Sequence, residues 1–239
     1  MPGVYLLWVE APQIASGADP GQFVMVRTSE GYDPLLRRPF SIHRVGGNGA
    51  LALLFEVVGR GTNWMARRKK GDVIDLLGPL GHGFALSAES HDLLLVAGGI
   101  GIAPLLALSD EGIRRGLRLK LLLGAPTQAQ LYPSRLLPPE IEIVVATEDG
   151  SAGKKGTVTE LLAGVAQEAD QIFACGPISM YKAMAAVVNG VGQKSVQVSM
   201  EARMGCGFGG CYGCAIETKR GLKLVCKDGP VFELSDLIW

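Results

Sequence analysis

Ten residues late in the chain, Gly205 to Cys214 (GCGFGGCYGC), set three thiols on a backbone made mostly of glycine. With Cys226 they read C-x4-C-x2-C-x11-C, three sulfurs on one loop and a fourth returning from a neighbouring strand. That is the ligand order of a plant-type 2Fe-2S centre. A loop around such a centre needs backbone N–H groups turned toward sulfur, which calls for left-handed or strained dihedrals. Gly205, Gly207, Gly209, Gly210 and Gly213 supply them at little steric cost. Such donors stabilise added negative charge and so raise the reduction potential. Structural zinc is the rival reading, but zinc sites usually pair two C-x2-C knuckles and this chain has one. The five cysteines are an odd number with four of them clustered, which in a reducing compartment indicates metal rather than disulfides.

The cysteine segment is too small to stabilise itself without a staple. With 239 residues and 48% hydrophobic content, the whole chain suits two domains and a small appendage, an α+β multi-domain protein. Residues 1–88 carry short apolar runs (FVMVRT, FSIHRV, LALLFEVVG, DVIDLLG) separated by Gly, Pro and Asp. This spacing predicts an antiparallel β-barrel with one short helix at TNWMARRKK. Residues 89–194 switch to near-continuous apolar runs (HDLLLVAGG, LRLKLLLGA, EIEIVVATED, ADQIFACGP) between helix-like segments, the pattern of an α/β domain with parallel strands buried on both faces. Residues 195–239 return to short strands, VQVSM, GCAIETKR and LKLVCKDG, around the cysteine loop.

Basic and acidic residues balance at 23 each, and Arg67-Arg68-Lys69-Lys70 is the one basic run, so no long charged face recruits nucleic acid or anionic lipid. The N-terminus lacks a basic n-region and a long apolar h-region. The most apolar later stretch, LLLVAGGIGIAPLLAL, is broken by glycines and a proline. The expectation is a soluble cytoplasmic protein with no membrane association.

Residues 37–42, RRPFSI, form the second informative stretch. Pro39 biases Arg38 toward an extended conformation, so Arg38 and Phe40 share one strand face and Ser41 takes the other. An arginine fork suits a pyrophosphate, the aromatic residue offers a surface for a stacked ring, and a donor near Ser41 is placed for a flavin ring nitrogen. Further on, GRGTNWM puts Gly61 and Thr62 where a helix begins, an anion site for the same pyrophosphate. An ordinary strand and an ordinary N-cap are the bland alternatives. The order of the two motifs, followed by GPLGHGF closing the barrel, favours the flavin.

LLLVAGGIGIAPLLAL is a buried strand, a glycine turn and a helix start, so amides at Gly99, Ile100 and Gly101 can approach a phosphate. The pattern Gly99-x-Gly101-x-x-Pro104 departs from the dinucleotide fingerprint at its last glycine, and GAPT (124–127) stands where an acidic residue would end the next strand. This disfavours a true Rossmann dehydrogenase. CGP (175–177) follows strand QIFA, which places Cys175 and Gly176 at the carboxyl end of a parallel strand, where ligands bind. The alternative for Cys175 is a buried small hydrophobe.

Taken in order, RRPFS, GRGT, GGIGIAP, GAPT and CGP resemble the ferredoxin–NADP reductase superfamily over nearly the whole chain. The terminal MGCGFGGCYGCAIETKRGLKLVCKDGPVF is similar to the electron-transfer subunits of class 1B dihydroorotate dehydrogenases. The resemblance implies FAD on the barrel, held by Arg38, Pro39, Phe40, Ser41, Leu54, Phe55, Glu56, Gly61 and Thr62. It implies NAD on the α/β lobe and the 2Fe-2S cluster on Cys206, Cys211, Cys214 and Cys226. Phe40 stands where many relatives of the superfamily carry tyrosine or a small aliphatic residue, so the ring face is kept and a hydroxyl lost. GAPTQAQLYPSR offers Ser134 and Arg135 as a 2′-phosphate site, so the residues leave NADP open while the resemblance implies NAD.

NAD chemistry moves two electrons as hydride and a 2Fe-2S centre takes one at a time, so a flavin has to stand between them. The chain shows no FMN-barrel pattern and no pocket chemistry for dihydroorotate. The resemblance therefore implies a partner, the FMN-containing dihydroorotate dehydrogenase catalytic subunit, in a heterotetramer of two of each. Electrons would run from FMN through cluster and FAD to NAD+, in pyrimidine (UMP) biosynthesis. Phe208 and Tyr212 would be docking candidates, or would merely cover the cluster. Two alternatives stand beside this one: a flavin/iron–sulfur NAD(P)H oxidoreductase subunit serving ferredoxin or a sulfur compound, and a non-catalytic flavin- or zinc-binding module. The three histidines, His43, His82 and His91, sit in unrelated contexts and take no catalytic role.

Overall fold

Residues 1–188 and 194–239 are described by a computed structural model. β1 (Val4–Glu10), β2 (Phe23–Val26), β3 (Arg38–Val45), β4 (Ala50–Glu56) and β5 (Leu76–Leu80) form one antiparallel sheet in the order β1-β4-β3-β2-β5. Side-chain alternation divides β2 between two cores. Val24 and Val26 join Ile42, Leu51, Leu53 and Phe55 inside the curled sheet, whereas Phe23 and Met25 on the opposite face pack with the other half of the molecule. The expected barrel is an open one, because β1 and β5 remain as edges with no ladder between them. β1 escapes the apolar pattern since Tyr5, Leu6 and Trp8 are all exposed, yet it pairs with β4 along its whole length.

The short helix starts earlier than its sequence suggests, at Arg60, and ends at Ala66. The Thr62 hydroxyl accepts from the Val58 and Gly59 amides at 3.0 and 3.2 Å and so closes the turn that starts it. Arg68, past its end, lies 4.1 Å over the Trp64 ring rather than extending the helix.

In the second half, β6 (Asp92–Gly98), β7 (Arg118–Ala125), β8 (Glu142–Thr147), β9 (Lys154–Lys155), β10 (Gln171–Cys175) and β11 (Ser195–Ser199) are parallel neighbours. After a hairpin of β12 (Ala215–Thr218) and β13 (Gly221–Leu224), β14 (Val231–Glu233) adds antiparallel to β11. The seven-stranded order is β14-β11-β10-β6-β7-β8-β9. The strands of VQVSM and PVF thus belong to the large sheet, not to a separate cysteine unit starting at 195. Val196 and Val198 are apolar on the face that Ile172 and Leu94 also line, so burial recruits them.

The tail has no core of its own. Leu224, Val225, Leu234 and Leu237 share one core with Leu94, Val96, Ile172 and Met184, and Cys214 and Cys226 lie inside it. The connection between the lobes is held by two buried glutamines. Gln197 accepts from the Ala85 amide and donates to its carbonyl at 2.8 and 2.9 Å, while Gln171 accepts from Ser87 and donates to the Ala85 carbonyl at 2.8 and 3.1 Å. Each amide satisfies a backbone group that would otherwise be unpaired.

Candidate cofactor sites

The cysteine loop turns its backbone on the sulfurs. Gly209 donates to Cys226 Sγ and Gly210 to Cys206 Sγ, both at 3.2 Å, and Gly213 donates to Cys211 Sγ and the Cys226 amide to Cys214 Sγ, both at 3.4 Å. Of the five glycines, only Gly207 and Gly209 are left-handed, with φ of 85° and 89°, and Tyr212 takes the third such position at 58°. Gly205 serves differently, since a Cβ there would crowd Cys211 Sγ at 3.2 Å, whereas one on Gly213 would meet the same sulfur at an ordinary 3.5 Å. The fourth cysteine is also differently placed from expectation. Cys226 lies in a one-turn helix, Val225–Asp228, which the Asp228 carboxylate holds by accepting from the Leu224 amide at 2.7 Å.

Cys206 interacts electrostatically with Cys211, and Cys226 chiefly with Cys214. Among the described residues no three His, Cys, Asp or Glu side chains gather around one metal position, as a single zinc would need. Two pairs of cysteines suit two irons. Burial opposes ionisation of Cys206, but the amides of Phe208, Cys211 and Gly210 and the Cys211 thiol outweigh it and hold the group down at about 6. Burial pushes Cys226 up to about 12, with the neighbouring Cys214 and Cys206 adding to the effect and the Gly209 amide opposing it. The N–H donors and the paired sulfurs fit a 2Fe-2S cluster.

Two cavities meet in the first lobe, and one of them reaches this loop. One, of about 370 Å³, is lined by Pro39, Phe40, Ser41, Leu54, Phe55, Glu56 and Thr62 from the first lobe, by Ile100 and Ala103 from the second, and by Met204 and Pro230 from the tail. The other, of about 330 Å³, is lined by Arg38, Pro39, Phe40, Val58, Arg60, Gly61 and Thr62. They share Pro39, Phe40, Val58 and Thr62, so they are two ends of one groove. Its ends differ chemically: aromatic and aliphatic at the first, guanidinium-rich at the second. This suits a flat ring joined to a pyrophosphate.

Within the groove, Phe40 packs edge-on against Phe55 at 5.8 Å, with Tyr5 stacked on the far side at 5.9 Å. Arg38 donates one nitrogen to the Leu36 and Arg37 carbonyls at 2.8 and 3.3 Å, which leaves the rest of its fork uncommitted to them. Arg60, which sequence reasoning passed over, lines the same end and pairs with exposed Asp33 at 2.7 Å. The first-turn amides of the helix at Gly61 and Thr62 have no intrahelical acceptor. A Cβ on Gly61 would lie 2.7 Å from Thr28 Oγ1, a buried hydroxyl without a partner. The groove fits a flavin dinucleotide.

The third cavity, about 460 Å³, opens at the carboxyl ends of β6, β7 and β8 and is lined by Gly98, Gly99, Gly124, Pro126, Glu148, Thr157 and Pro177 among others. Gly99, with φ of 58°, is on its wall, whereas Gly101 is buried where a Cβ would stand 2.0 Å from the Cys175 carbonyl oxygen. Gly101 lets two strand ends close together. Cys175 is 2% exposed, and burial pushes its thiol up to about 12. Gly176 donates to the Tyr181 hydroxyl at 3.0 Å, which in turn donates to the Ser199 carbonyl at 2.7 Å. Neither Cys175 nor Gly176 is on the cavity wall, which begins at Pro177. Ser134 and Arg135 sit in a separate 3-10 turn, Ser134–Leu136. Glu148, one residue beyond β8, is the acidic group facing this third cavity. Its signal in the sequence is an acidic residue just after VVAT, one strand beyond GAPT.

An antiparallel sheet carrying an aromatic groove, joined to a parallel-sheet lobe with a glycine-lined cavity, is the architecture of ferredoxin–NADP reductases. The chain superposes on the ferredoxin NADP+ reductase of Neisseria gonorrhoeae, solved with bound FAD and NADP, with a TM-score of 0.67, covering 84% of this chain and 94% of that one at 20% identity. It matches the structure of an NADH-dependent reduced ferredoxin-NADP oxidoreductase more fully, with a TM-score of 0.88 and 30% identity over 99% of this chain and 86% of that one. Residues 201–238 match the iron-sulfur cluster binding domain of dihydroorotate dehydrogenase B. Over its whole length the chain is 41% identical to the dihydroorotate dehydrogenase B (NAD(+)) electron transfer subunit of Desulforamulus reducens, covering 94% of that protein. It is 37% identical to the Bacillus mycoides protein of the same name over 98% of this chain and 93% of that one. The chain belongs to the family of dihydroorotate dehydrogenase B electron transfer subunits.

Proposed function

We propose that the chain is the electron-transfer subunit of an NAD+-linked dihydroorotate dehydrogenase, working in pyrimidine biosynthesis beside a catalytic partner subunit. That partner would carry FMN and the dihydroorotate site, and two copies of each would form a heterotetramer. The observation that carries this reading is the shared wall of the aromatic cavity. It takes Ile100 and Ala103 from the turn that bears Gly99 and takes Met204 and Pro230 from either side of the cysteine loop. One groove thus adjoins both other sites.

Arg38, Arg60 and the Gly61 and Thr62 amides would hold the pyrophosphate of FAD, with Phe40, Leu54 and Phe55 around its ring. Cys206, Cys211, Cys214 and Cys226 would hold the 2Fe-2S cluster, and Gly98, Gly99 and Glu148 would line the NAD site. When bound, the flavin exchanges two-electron hydride chemistry for the one-electron chemistry of the cluster. The protein's task is to keep the groove apolar and to aim its amides. Glu148 supports NAD over NADP, because a carboxylate accepts from ribose hydroxyls and repels a 2′-phosphate. Among the described residues no helix is long and apolar enough to cross a membrane.

A second reading draws on the 30% identity to the NADH-dependent reduced ferredoxin-NADP oxidoreductase structure: the same three sites would serve ferredoxin. The test is Cys211→Ser. Its thiol is exposed, so the fold should survive. The variant should lose cluster absorbance and dihydroorotate-dependent NAD+ reduction with the partner subunit, while NADH still reduces its flavin. Equal loss of both activities would argue against a separate relay site. Ferredoxin-dependent but no dihydroorotate-dependent turnover of the unaltered complex would favour the second reading.

A further inference from the structure

The two lobes are joined near the flavin groove by a buried imidazole that the proposed chemistry leaves unused. His43 is on β3, two residues beyond Ser41, and is fully buried. Its Nδ1 lies 2.8 Å from the Ala103 carbonyl oxygen in the second lobe, and its Nε2 lies 3.0 Å from the Tyr132 hydroxyl, also in the second lobe. The tautomer follows from the partners. A carbonyl can only accept, so Nδ1 carries the proton, the neutral ring must accept at Nε2, and Tyr132 donates. Burial, above all, keeps the ring neutral by lowering its affinity for protons to a pKa of about 4. The Ala103 carbonyl opposes this and nearby Arg44 reinforces it. Arg44 itself faces Asp110 of the second lobe at 3.2 Å.

What the ring grips matters more than the bonds themselves. Ala103 closes the turn that begins at Gly99. One end of this turn lines the nucleotide cavity, and Ile100 and Ala103 at the other line the flavin groove. On the opposite side, β3 carries Phe40 and Ser41 into that groove. A single side chain therefore ties the strand under one cofactor site to the turn shared by both. We propose that His43 is a positioning residue, a neutral latch between lobes that sets the approach of the nucleotide turn to the flavin groove. This rests on the flavin and NAD assignments above. It adds a role that neither contact with a cofactor nor proton transfer supplies. Hydride transfer is steep in distance, and a misplacement of about 1 Å can cost on the order of a hundredfold in rate.

The experiment compares His43→Leu, His43→Asn and Tyr132→Phe in the full chain with its cofactors. Amide hydrogen exchange over residues 99–103 is read without NADH, and flavin reduction by saturating NADH is read by rapid mixing, normalised to bound flavin. In His43→Leu the turn should exchange faster and the saturated rate should fall by about ten- to a hundredfold, with the half-saturating NADH concentration little changed. His43→Asn keeps an N–H where Nδ1 stood and should recover most of the rate. Tyr132→Phe should lose only a fewfold. Unchanged exchange in His43→Leu, or an undiminished rate per flavin in all three variants, overturns the latch. If His43→Leu fails to retain flavin, the same comparison between His43→Asn and Tyr132→Phe decides, and indistinguishable wild-type behaviour in both overturns it. Failure of the unaltered protein to reduce flavin with NADH would instead sink the functional reading, while the exchange measurement would still report the latch.

Discussion

The cysteine loop and the nucleotide turn are both rich in glycine and use it for opposite ends. In the loop, Gly207 and Gly209 adopt left-handed backbone, and the amides of Gly209 and Gly210 point at sulfur. The loop sits at the surface, with Cys211 exposed, and its order comes from polar atoms aimed inward at a charge. At the nucleotide turn, Gly101 is needed because the Cys175 carbonyl occupies the place of its Cβ. There the order comes from apolar strands packed on both faces, Leu95, Ala97 and Phe173 among them. One stretch of glycine serves to aim amides at sulfur, the other to let strands close. The same residue type therefore predicts different consequences when replaced.

The sharpest test of that contrast is Gly101→Ala. The clash is with backbone that cannot move aside, so the substitution should cost about 3 kcal/mol or more and lower the thermal midpoint of the whole protein. A midpoint within a degree or two of wild type would mean the turn has slack that its geometry does not show. Arg38→Ala follows, with an expected loss of roughly 1.5–3 kcal/mol in FAD affinity from a charge-assisted contact. Flavin retention on dilution measures it, and undiminished retention would leave Arg60 and the helix amides as the sole phosphate contacts.

Glu148→Arg should move the preference between NADH and NADPH by about tenfold, near 1.4 kcal/mol, through loss of a ribose acceptor and gain of a phosphate partner. The ratio of kcat/KM for the two nucleotides reads it, and an unchanged ratio would remove Glu148 from the adenosine end of the site. Smallest is Gly209→Ala. Its left-handed backbone costs an L-residue about 1 kcal/mol, and the nearest obstacle to a methyl is the flexible Lys227 chain at 2.8 Å. The fold should hold while the reduction potential of the cluster shifts with the Cys226 contact. A potential equal to wild type would detach the Gly209 amide from that role.

Particular elements show why some of this could be read in one dimension. Hydrophobic runs such as LLLVAGG and LKLLLGA, bounded by glycine, favour strands buried on both faces, and the cysteine spacing favours iron–sulfur over zinc. Other features were hidden because they depend on partners distant in sequence. β1 has exposed Tyr5 and Trp8 and betrays no alternation, yet its pairing with β4 is complete. The strand end suggests either a site role or a buried small hydrophobe for Cys175, and its burial against Tyr181 fits the second. GRGT marks a helix start, but that the Thr62 hydroxyl closes the turn by accepting from the Val58 and Gly59 amides depends on the folded backbone.

The order and spacing of the four clustered cysteines, the two kinds of sheet and the glycine turns were all determined by local pattern, because spacing and periodicity are properties of the chain itself. Only the tertiary structure decided that VQVSM joins the large sheet, that the tail shares its core, and that His43 meets Ala103 and Tyr132 across sixty and eighty-nine residues of chain. Those contacts form when burial brings remote segments together, and burial is settled by the whole fold at once.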